Sequence, residues 1–465
     1  MKSQGRTLGI GLLFLISNQG LVLAGDLEKA PPGFSHQGGK AVFADFSHVG
    51  LSLRFDALNG KAQARAVIEF EVGEEGMPLF DMIPDAQTVI LDGNTLDPAS
   101  VTSVKDPHKQ STLRLLGVNV EPQRRHTLEM TYDLSSQVSF SQGTVSAGFF
   151  MSDLSDREYF EQFAPTNYEY DQYSQSIGVE ITGTDKRHEI FANGQVEELA
   201  FNKWTVNFPA YYTSSSFYFH LVKEGRFVVS RSSYAGLEGE IPLTVYSISQ
   251  SNVANGMQRL KRYMAELEGT YGAFAHPSFT AYITDGGGGM EYCGATVTSL
   301  SALGHETTHS WFARGVMPAN GNAGWIDEAI ASWRDNNYPR GSGPSRTLRM
   351  LGGFSPYKRY TTMDAYGYGA DLISDFDGWV ARSNDAGMKG VLRDLFAQFK
   401  RQTITVPMFQ SHMERALGQS LQAFFDKYIY GRSSSAPVSS ASPGWDVNWS
   451  RHPRPFTKEE LKKII

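Results

Sequence analysis

The residues with the clearest chemical potential lie in the segment 305–309, which reads His-Glu-Thr-Thr-His. Positions four residues apart lie on one face of a helix, so His305 and His309 can bind a single metal ion together. Zn²⁺ prefers imidazole nitrogen and carboxylate oxygen, and a hydrolytic zinc site uses three protein ligands and a water molecule. Glu306 lies beside the two histidines, where it can accept a proton from that water. The spacing therefore predicts a mononuclear zinc site with its own general base.

The third zinc ligand must come from another element, and Glu328 is the candidate. It follows His309 after 18 intervening residues, within a segment over 325–333 that has the character of a second helix. A loop over 318–324, containing proline, asparagine and glycine, can bring Glu328 back to the histidines. A His-x-x-x-His pair alone is common on solvated helix faces. The internal glutamate, the loop and the second acidic helix favour a zinc site over that alternative.

A glycine-rich segment, Gly-Gly-Met-Glu-Tyr over 288–292, precedes the histidines. Because glycine lets a backbone approach a ligand closely, Gly288, Gly289 and Met290 are predicted to line the substrate. An extended segment here can pair with the substrate backbone as an added strand. Glu291 is then placed to bind a cationic group such as a free α-amine. The alternative is a glycine hairpin that carries an exposed glutamate.

Two tyrosines farther along the chain are candidates for stabilising a reaction intermediate. Tyr366 and Tyr368 stand in the segment Tyr-Gly-Tyr-Gly over 366–369. A tyrosine hydroxyl can donate a hydrogen bond to the oxyanion that develops beside a metal during acyl transfer. From the residues alone, this catalytic role and a purely structural role are equally open.

Composition narrows the class of protein. The chain has 465 residues, of which 41% are hydrophobic and 20% charged, so we expect a globular protein of two or three domains. Its net charge of −7 argues against a general nucleic-acid binder, which would carry clustered basic residues. The single cysteine, Cys293, cannot form an internal disulfide and is expected to be a small buried residue.

The first residues have the pattern of a secretory signal rather than of a folded element. Lys2 and Arg6 precede an apolar run over 8–16, and small residues at 22–24 offer a cleavage point. We therefore expect residues 1–24 to be a signal peptide and the protein to be exported, either to the periplasm or by secretion. The run is short for a transmembrane helix, so no stable membrane span is expected after cleavage; a retained anchor is the alternative.

Hydrophobic periodicity divides the rest of the chain into two domains. Apolar and polar residues alternate over 66–72, 127–134, 177–181 and 217–221, which predicts an antiparallel β domain over 25–243. Helical spacing begins over 253–267 and predicts a mainly helical domain over 244–432. A strand over 279–283 and helices over 372–381, 390–399 and 408–430 are expected within it. A Ser/Pro-rich tail over 433–465 completes a multidomain α+β chain.

Together these motifs resemble the aminopeptidase N-like zinc metallopeptidases of the gluzincin clan. That family combines a Gly-x-Met-Glu-Asn motif with the HExxH pair and its downstream glutamate. It also places an N-terminal β domain before a thermolysin-like catalytic domain, as the order of this chain implies. The resemblance is to a short form, without the helical C-terminal domain that many members carry. The region 366–399 also resembles the neighbouring glycyl aminopeptidase family.

The resemblance implies a role for each matching residue. His305, His309 and Glu328 correspond to the ligands of one Zn²⁺, and Glu306 corresponds to the general base. Glu291 corresponds to the residue that binds the free amine of the substrate.

The tyrosine pair departs from the family pattern, and so do the residue after Glu291 and the residue before Glu328. Tyr366 corresponds to the transition-state tyrosine, and Tyr368, which stands where the family often has lysine, is the reserve candidate. Tyr292 and Asp327 each replace an asparagine of the family.

The expected function is therefore an exported zinc aminopeptidase that hydrolyses N-terminal residues from peptides with a free N-terminus. One alternative is a zinc endopeptidase, or another zinc hydrolase of the same clan, that does not select for a free N-terminus. The other is a non-catalytic binding protein with a structural metal, although an intact Glu306 disfavours it because a structural site needs no base.

Overall fold

The computed structural model describes residues 26–148, 160–342, 348–382 and 384–432. The predicted signal peptide over 1–24 and the predicted tail over 433–465 lie outside these ranges. Strands predominate up to residue 247, and helices predominate from residue 250 onward. This order agrees with the prediction of a β-rich N-terminal region followed by a mainly helical region.

Apart from three short 3₁₀ helices, the regular elements described in the first region are strands. They are β1 (Phe34–His36), β2 (Gly39–Asp56), β3 (Lys61–Val72), β4 (Met77–Phe80), β5 (Ala86–Leu91), β6 (Asn94–Leu96), β7 (Val101–Lys105), β8 (Thr112–Leu116), β9 (His126–Asp133), β10 (Ser139–Ser141), β11 (Thr144–Gly148), β12 (Ser174–Thr182), β13 (His188–Ala192), β14 (Gln195–Ala200), β15 (Lys203–Phe208) and β16 (Phe219–Lys223). Short 3₁₀ helices lie at Asp26–Glu28, Pro98–Ser100 and Phe160–Gln162.

Most of these strands form one 12-stranded sheet, whose main path runs β14–β15–β12–β2–β3–β9–β5–β6. A second sheet has the order β10–β11–β16–β13. Along β3, alternate residues from Ala62 to Val72 are buried, as the period of two predicts for a strand with one face on a core. Among the described strands of these two sheets, pairing is antiparallel except that β2 pairs in parallel with β12 and β4. The predicted antiparallel region is thus mainly, but not wholly, antiparallel.

The second region mixes strands and helices. Its strands are β17 (Val228–Gly236), β18 (Gly239–Ser247), β19 (Phe279–Thr284), β20 (Gly289–Tyr292), β21 (Ala295–Ser299), β22 (Val316–Pro318) and β23 (Gln402–Ile404). Its helices are α1 (Gln250–Tyr271), α2 (Leu303–Thr308), α3 (Trp325–Asp335), α4 (Gly367–Val380), α5 (Gly387–Phe399), α6 (Val406–Leu417) and α7 (Gln422–Tyr428), with a 3₁₀ helix at Met363–Ala365.

A five-stranded sheet with the order β17–β18–β19–β21–β20 supports the second region. Strands β18, β19 and β21 are parallel, and β20 pairs antiparallel with β21 at the end of the described sheet. The predicted boundary between residues 243 and 244 falls inside β18. Because β18 pairs with both β17 and β19, β17 and β18 belong to the sheet of the later part of the chain. Alternation reveals a strand but not the sheet it joins.

The helices of the second region lie close to their predicted positions. Helix α1 begins after Ser249, whose side chain accepts a hydrogen bond from the Asn252 amide and so caps the first turn. Helix α4 covers the run predicted over 372–381 except its last residue, and α5 covers the run predicted over 390–399. The run predicted as helical over 408–430 is two helices, because Gly418 adopts a left-handed conformation, with φ of +66°, and ends α6.

Buried tryptophans fix the helices that carry the predicted metal ligands. Trp311, just after α2, donates from Nε1 to the Gly272 carbonyl at 2.8 Å. Trp333 on α3 donates in the same way to the Pro339 carbonyl at 2.8 Å. Trp325, at the start of α3, is also fully buried. Large buried aromatic side chains anchor a core strongly when their N–H groups are satisfied, as those of Trp311 and Trp333 are.

Candidate metal centre

Helix α2 is short and lies against α1 and α3. Its start is held by Ser299, whose hydroxyl accepts a hydrogen bond from the Ala302 amide at 3.2 Å. Gly304 permits the close approach, because a Cβ at that position would come within 2.5 Å of the Arg334 side chain and about 3.0 Å of the Tyr263 ring. The helix ends at Thr308, and the next residue, His309, keeps a right-handed helical conformation, so His305 and His309 remain on one face.

Three predicted ligands converge on one point. The Nε2 atom of His305 lies 3.1 Å from Oε2 of Glu328, and Nε2 of His309 lies 3.5 Å from the same oxygen. Ligands bound about 2.0–2.1 Å from a tetrahedral Zn²⁺ lie roughly 3.3 Å apart. All three residues are buried. Their spacing, chemical type and burial therefore fit one zinc ion, as the sequence predicts.

Both imidazoles are oriented by a partner on their other nitrogen. Nδ1 of His305 donates to the Asp335 carboxylate at 2.7 Å, and Nδ1 of His309 donates to the Phe312 carbonyl at 3.1 Å. Such partners fix the ring and leave Nε2 for the metal. Sequence reasoning missed Asp335. Its position seven residues after Glu328, two helical turns along the same face, is the signal that could have found it.

Imidazoles and carboxylates of the metal centre stabilise each other's charged forms. Burial by itself lowers the pKa of His305, but the Asp335 and Glu328 carboxylates outweigh burial and raise that pKa to about 10. Burial by itself raises the pKa of Glu328, but the His309 and His305 rings hold that pKa well below its usual range. Because imidazole must lose its proton to bind a metal, Zn²⁺ binding would release protons from this cluster.

Glu306, the predicted general base, packs against the predicted substrate strand. A Cβ on Gly289 would lie 2.1 Å from Oε1 of Glu306, so the close contact requires glycine there. Burial raises the pKa of Glu306 to about 8, against the opposing effect of His305 and His309. A group that titrates near neutral pH is well suited to take up and release a proton.

Strand β20 carries all but one of the predicted substrate-binding residues, and its two faces differ. Because side chains alternate, Gly289 and Glu291 share the face toward the metal centre, while Met290 and Tyr292 point the other way. Met290 and Tyr292 pack into a buried aromatic cluster. Met290 can therefore contact a substrate only through its backbone. The Gly288 carbonyl accepts a hydrogen bond from the Ser299 amide at 3.0 Å, which holds the start of the segment in place.

Glu291 is paired with an arginine that sequence reasoning missed. Nη2 of Arg314 donates to Oε1 of Glu291 at 2.7 Å, and both side chains are buried. Glu291, Glu306 and His309 form a second group with metal-ligand spacing. Since Glu291 already has a cationic partner, the group of His305, His309 and Glu328 is the better match to a metal. No sequence spacing links residues 291 and 314.

The two tyrosine candidates have different surroundings. Tyr366 donates from its hydroxyl to Oε1 of Glu328 at 2.8 Å, and its ring is nearly parallel to that of His305. Tyr368 instead donates to the Tyr428 carbonyl at 3.1 Å, on the side of α7. The structure therefore brings Tyr366, and not the reserve candidate, to the metal centre.

Two further residues near the metal centre, Cys293 and Asp327, are buried, and burial raises the pKa of each. Cys293 is fully buried, and burial raises the pKa of its thiol to about 12, in agreement with the prediction of a small buried residue. Asp327 lies 3.7 Å from Nδ1 of His309, and burial raises the pKa of its carboxyl to about 8. Neither is a ligand of the predicted zinc.

Comparison with known proteins bears on the fold. No protein-family model and no curated protein sequence matches this chain. The structure of Legionella pneumophila aminopeptidase A in complex with aspartic acid is similar, with a TM-score of 0.62 at 16% identity over 83% of this chain and 49% of that one. An M1 zinc metallopeptidase from Deinococcus radiodurans gives a TM-score of 0.59 at 14% identity, covering 84% of this chain and 95% of that one. Yeast LTA4 hydrolase in complex with bestatin gives 0.56 at 13% identity, covering 85% and 69%.

These likenesses confirm the predicted resemblance at the level of the fold. The chain folds like the zinc aminopeptidases of the M1, or aminopeptidase N-like, group. It spans about half the length of the Legionella enzyme but matches nearly all of the Deinococcus one.

Proposed function

We propose that this protein is an exported zinc aminopeptidase that hydrolyses N-terminal residues from peptides. The observation that carries the proposal is the convergence of His305, His309 and Glu328 on one point, with the buried Glu306 beside them. A structural metal site has no use for a buried carboxylate that is not a ligand. Its presence favours hydrolysis over the non-catalytic alternative.

The residues around the metal centre divide the chemistry among them. His305, His309 and Glu328 would hold Zn²⁺, which supplies Lewis acidity to a carbonyl and acidifies water when bound. Glu306 accepts a proton from the attacking water and passes it to the leaving amine nitrogen as the peptide bond breaks. The Tyr366 hydroxyl, which donates to Glu328 in the structure, would redirect its hydrogen bond to the developing oxyanion.

Substrate positioning is assigned to β20. It is the last strand in the order of the described sheet, so a peptide can add beside it by backbone pairing. Glu291, on the face toward the metal centre, binds the free α-ammonium group of the first residue. Peptides with a free N-terminus are thus the proposed substrates.

Export is proposed from the signal pattern over residues 1–24. No helix within the described ranges is long and apolar enough to cross a bilayer. Fractionation of producing cells, with N-terminal sequencing of the recovered protein, tests export. A protein recovered with residues 1–24 intact and inside the cytoplasm would contradict it.

The activity is tested with one peptide in two forms, Leu-Gly-Gly and its N-acetylated equivalent. We expect the free peptide to be cleaved about 100-fold faster or more, because a blocked amine cannot pair with Glu291. Chelation should abolish cleavage and Zn²⁺ should restore it. Equal cleavage of both forms would favour the endopeptidase alternative, and no cleavage by the zinc-loaded protein would contradict the proposed hydrolysis.

A further inference from the structure

The chain turns sharply after helix α2, and the turn returns Arg314 to the metal centre. Ala313 adopts φ of +106°, which residues with a side chain rarely do. Within the turn, the Arg314 amide donates to the His309 carbonyl and the Val316 amide donates to the Trp311 carbonyl, each at 2.8 Å. Such conformations persist where the surrounding structure imposes them, and they cluster at functional sites.

Arg314 joins the substrate strand to the N-terminal region. Its Nη2 donates to Oε1 of Glu291 at 2.7 Å, and its Nη1 donates to the Ser215 hydroxyl at 2.7 Å. Only 3% of Arg314 is exposed, so neither contact is screened by bulk water. Charge-assisted hydrogen bonds of this kind are shorter and stronger than neutral ones. The guanidinium group therefore holds one oxygen of Glu291 in a fixed place.

The loop that carries Ser215 is itself tied to β20. Asn193 donates from Nδ2 to the Ser216 carbonyl at 2.7 Å and to the Cys293 carbonyl at 2.8 Å. The Cys293 amide donates to the Ser216 carbonyl at 3.3 Å. Cys293 lies only two residues beyond Glu291. Ser215, Arg314 and Glu291 are consequently parts of one rigid junction between the two regions.

The Glu291 carboxylate is also close to the candidate metal centre. One of its oxygens is within 4.8 Å of ligand atoms of Glu306 and His309. Beside Glu291 and Arg314 is a cavity of about 30 Å³, which Asp327 also lines. That volume has room for about two water molecules, and so for a group the size of an ammonium ion.

We propose that Arg314 is the positioning residue of the amine subsite. Its guanidinium group orients the Glu291 carboxylate toward the metal centre and offsets part of the carboxylate's negative charge. The substrate ammonium group therefore meets one carboxylate oxygen in a fixed position. This inference rests on the proposed function, in which Glu291 binds the free amine. Selection of a free N-terminus then depends on Arg314 and on Ser215 of the N-terminal region, as well as on Glu291 itself.

The test measures binding rather than turnover. Leucine hydroxamate and N-acetyl-leucine hydroxamate are titrated by calorimetry into the zinc-loaded Glu306→Gln protein, and the ratio of their Kd values reports amine recognition. We expect the free-amine probe to bind at least about tenfold tighter, the ratio to fall to about twofold with Arg314→Gln, and Arg314→Lys to recover part of it. Ser215→Ala, which removes one neutral partner, should lower the ratio about threefold.

A double-mutant cycle separates positioning from general damage. If Arg314 acts through Glu291, Arg314→Gln should have little further effect on the ratio once Glu291→Gln is present. Arg187→Gln, on the exposed surface, is the matched control and should leave the ratio unchanged. Equal weakening of both probes by Arg314→Gln, or independent effects in the double variant, would overturn the inference.

Two outcomes keep this inference distinct from the proposed activity. Should Arg314→Gln fail to fold, an unchanged ratio in Ser215→Ala overturns the inference on its own. If the native protein hydrolyses no peptide while the ratio responds to Arg314 as expected, the proposed hydrolysis fails and the positioning role stands.

Discussion

The metal centre and the amine subsite are held together in different ways. The proposed metal centre takes its ligands from α2, the residue that follows it, and α3. A short stretch of chain that includes β22 joins the two helices, and each imidazole is fixed by a partner in the same region. The proposed amine subsite takes Glu291 from β20, Arg314 from the turn after α2, and Ser215 from the N-terminal region. Under the proposed function, metal binding therefore depends on the second region alone, whereas amine selection depends on both regions.

The metal centre and the amine subsite also differ in charge. At the metal centre, Glu328 and Asp335 place negative charge against two imidazoles, an arrangement that suits a dipositive ion. In the amine subsite, Glu291 is already paired with Arg314. A substitution can consequently disrupt either the metal centre or the amine subsite and leave the other intact.

The largest effect is expected from removing a metal ligand. His309→Ala or Glu328→Ala leaves two ligands, so zinc per chain should fall to nearly none after dialysis, and hydrolysis should fall by on the order of 10³ or more. Metal analysis and turnover measure both quantities. His36→Ala, at a histidine outside the centre, is the control and should keep its zinc. Full zinc content in either ligand variant would break the assignment of the metal centre.

A smaller loss is expected from the tyrosine at the metal centre. Tyr366→Phe removes the oxyanion donor and should lower kcat by about 10²–10³, with zinc retained. Tyr368→Phe also removes one hydroxyl, but that group contacts the Tyr428 carbonyl, so kcat should stay within about twofold of the native value. A larger loss in Tyr368→Phe than in Tyr366→Phe would reverse the assignment.

Gly289 lies between the metal centre and the amine subsite, against Glu306 and two residues before Glu291. Its substitution tests whether activity can be lost while zinc is kept. The new methyl group of Gly289→Ala would collide with Glu306, and displacing a catalytic group by about 1 Å can lower activity about 100-fold. Zinc content should not change, because Glu306 is not a ligand. In Gly287→Ala the methyl group meets nothing within 4 Å, so native activity is expected. Equal activities of the two variants would show that Glu306 does not depend on the contact with β20.

The smallest change concerns the partner of His305. Asp335→Asn keeps the size of the side chain but removes its charge, and zinc affinity should fall about 10–100-fold by competition with a chelator. The hydroxamate ratio that reports amine recognition should not change. Asp385→Asn, on the exposed surface, is the control. If the ratio of the hydroxamate Kd values fell together with zinc affinity, the metal centre and the amine subsite would not be independent.

This division explains what the sequence could predict. The metal centre follows from local rules, because helical periodicity brings His305 to His309, and a connection of 18 residues brings Glu328 back. Repeating alternation likewise predicted β3, β9, β12 and β16. The Arg314 contacts join positions 23 and 99 residues apart, and no periodic pattern records such pairs. Membership of β17 and β18 in the five-stranded sheet of the second region was hidden for the same reason, since strand pairing is a long-range property.

Glu306→Gln tests the central claim most directly, because it separates metal binding from catalysis in one protein. The variant keeps the size of the side chain and all three ligands but has no carboxylate to accept a proton. We predict close to one zinc per chain, as in the native protein, and hydrolysis of the free peptide lowered by about 10³ or more. An unimpaired rate in the zinc-loaded variant would contradict the account, because Glu306 would then not be the base.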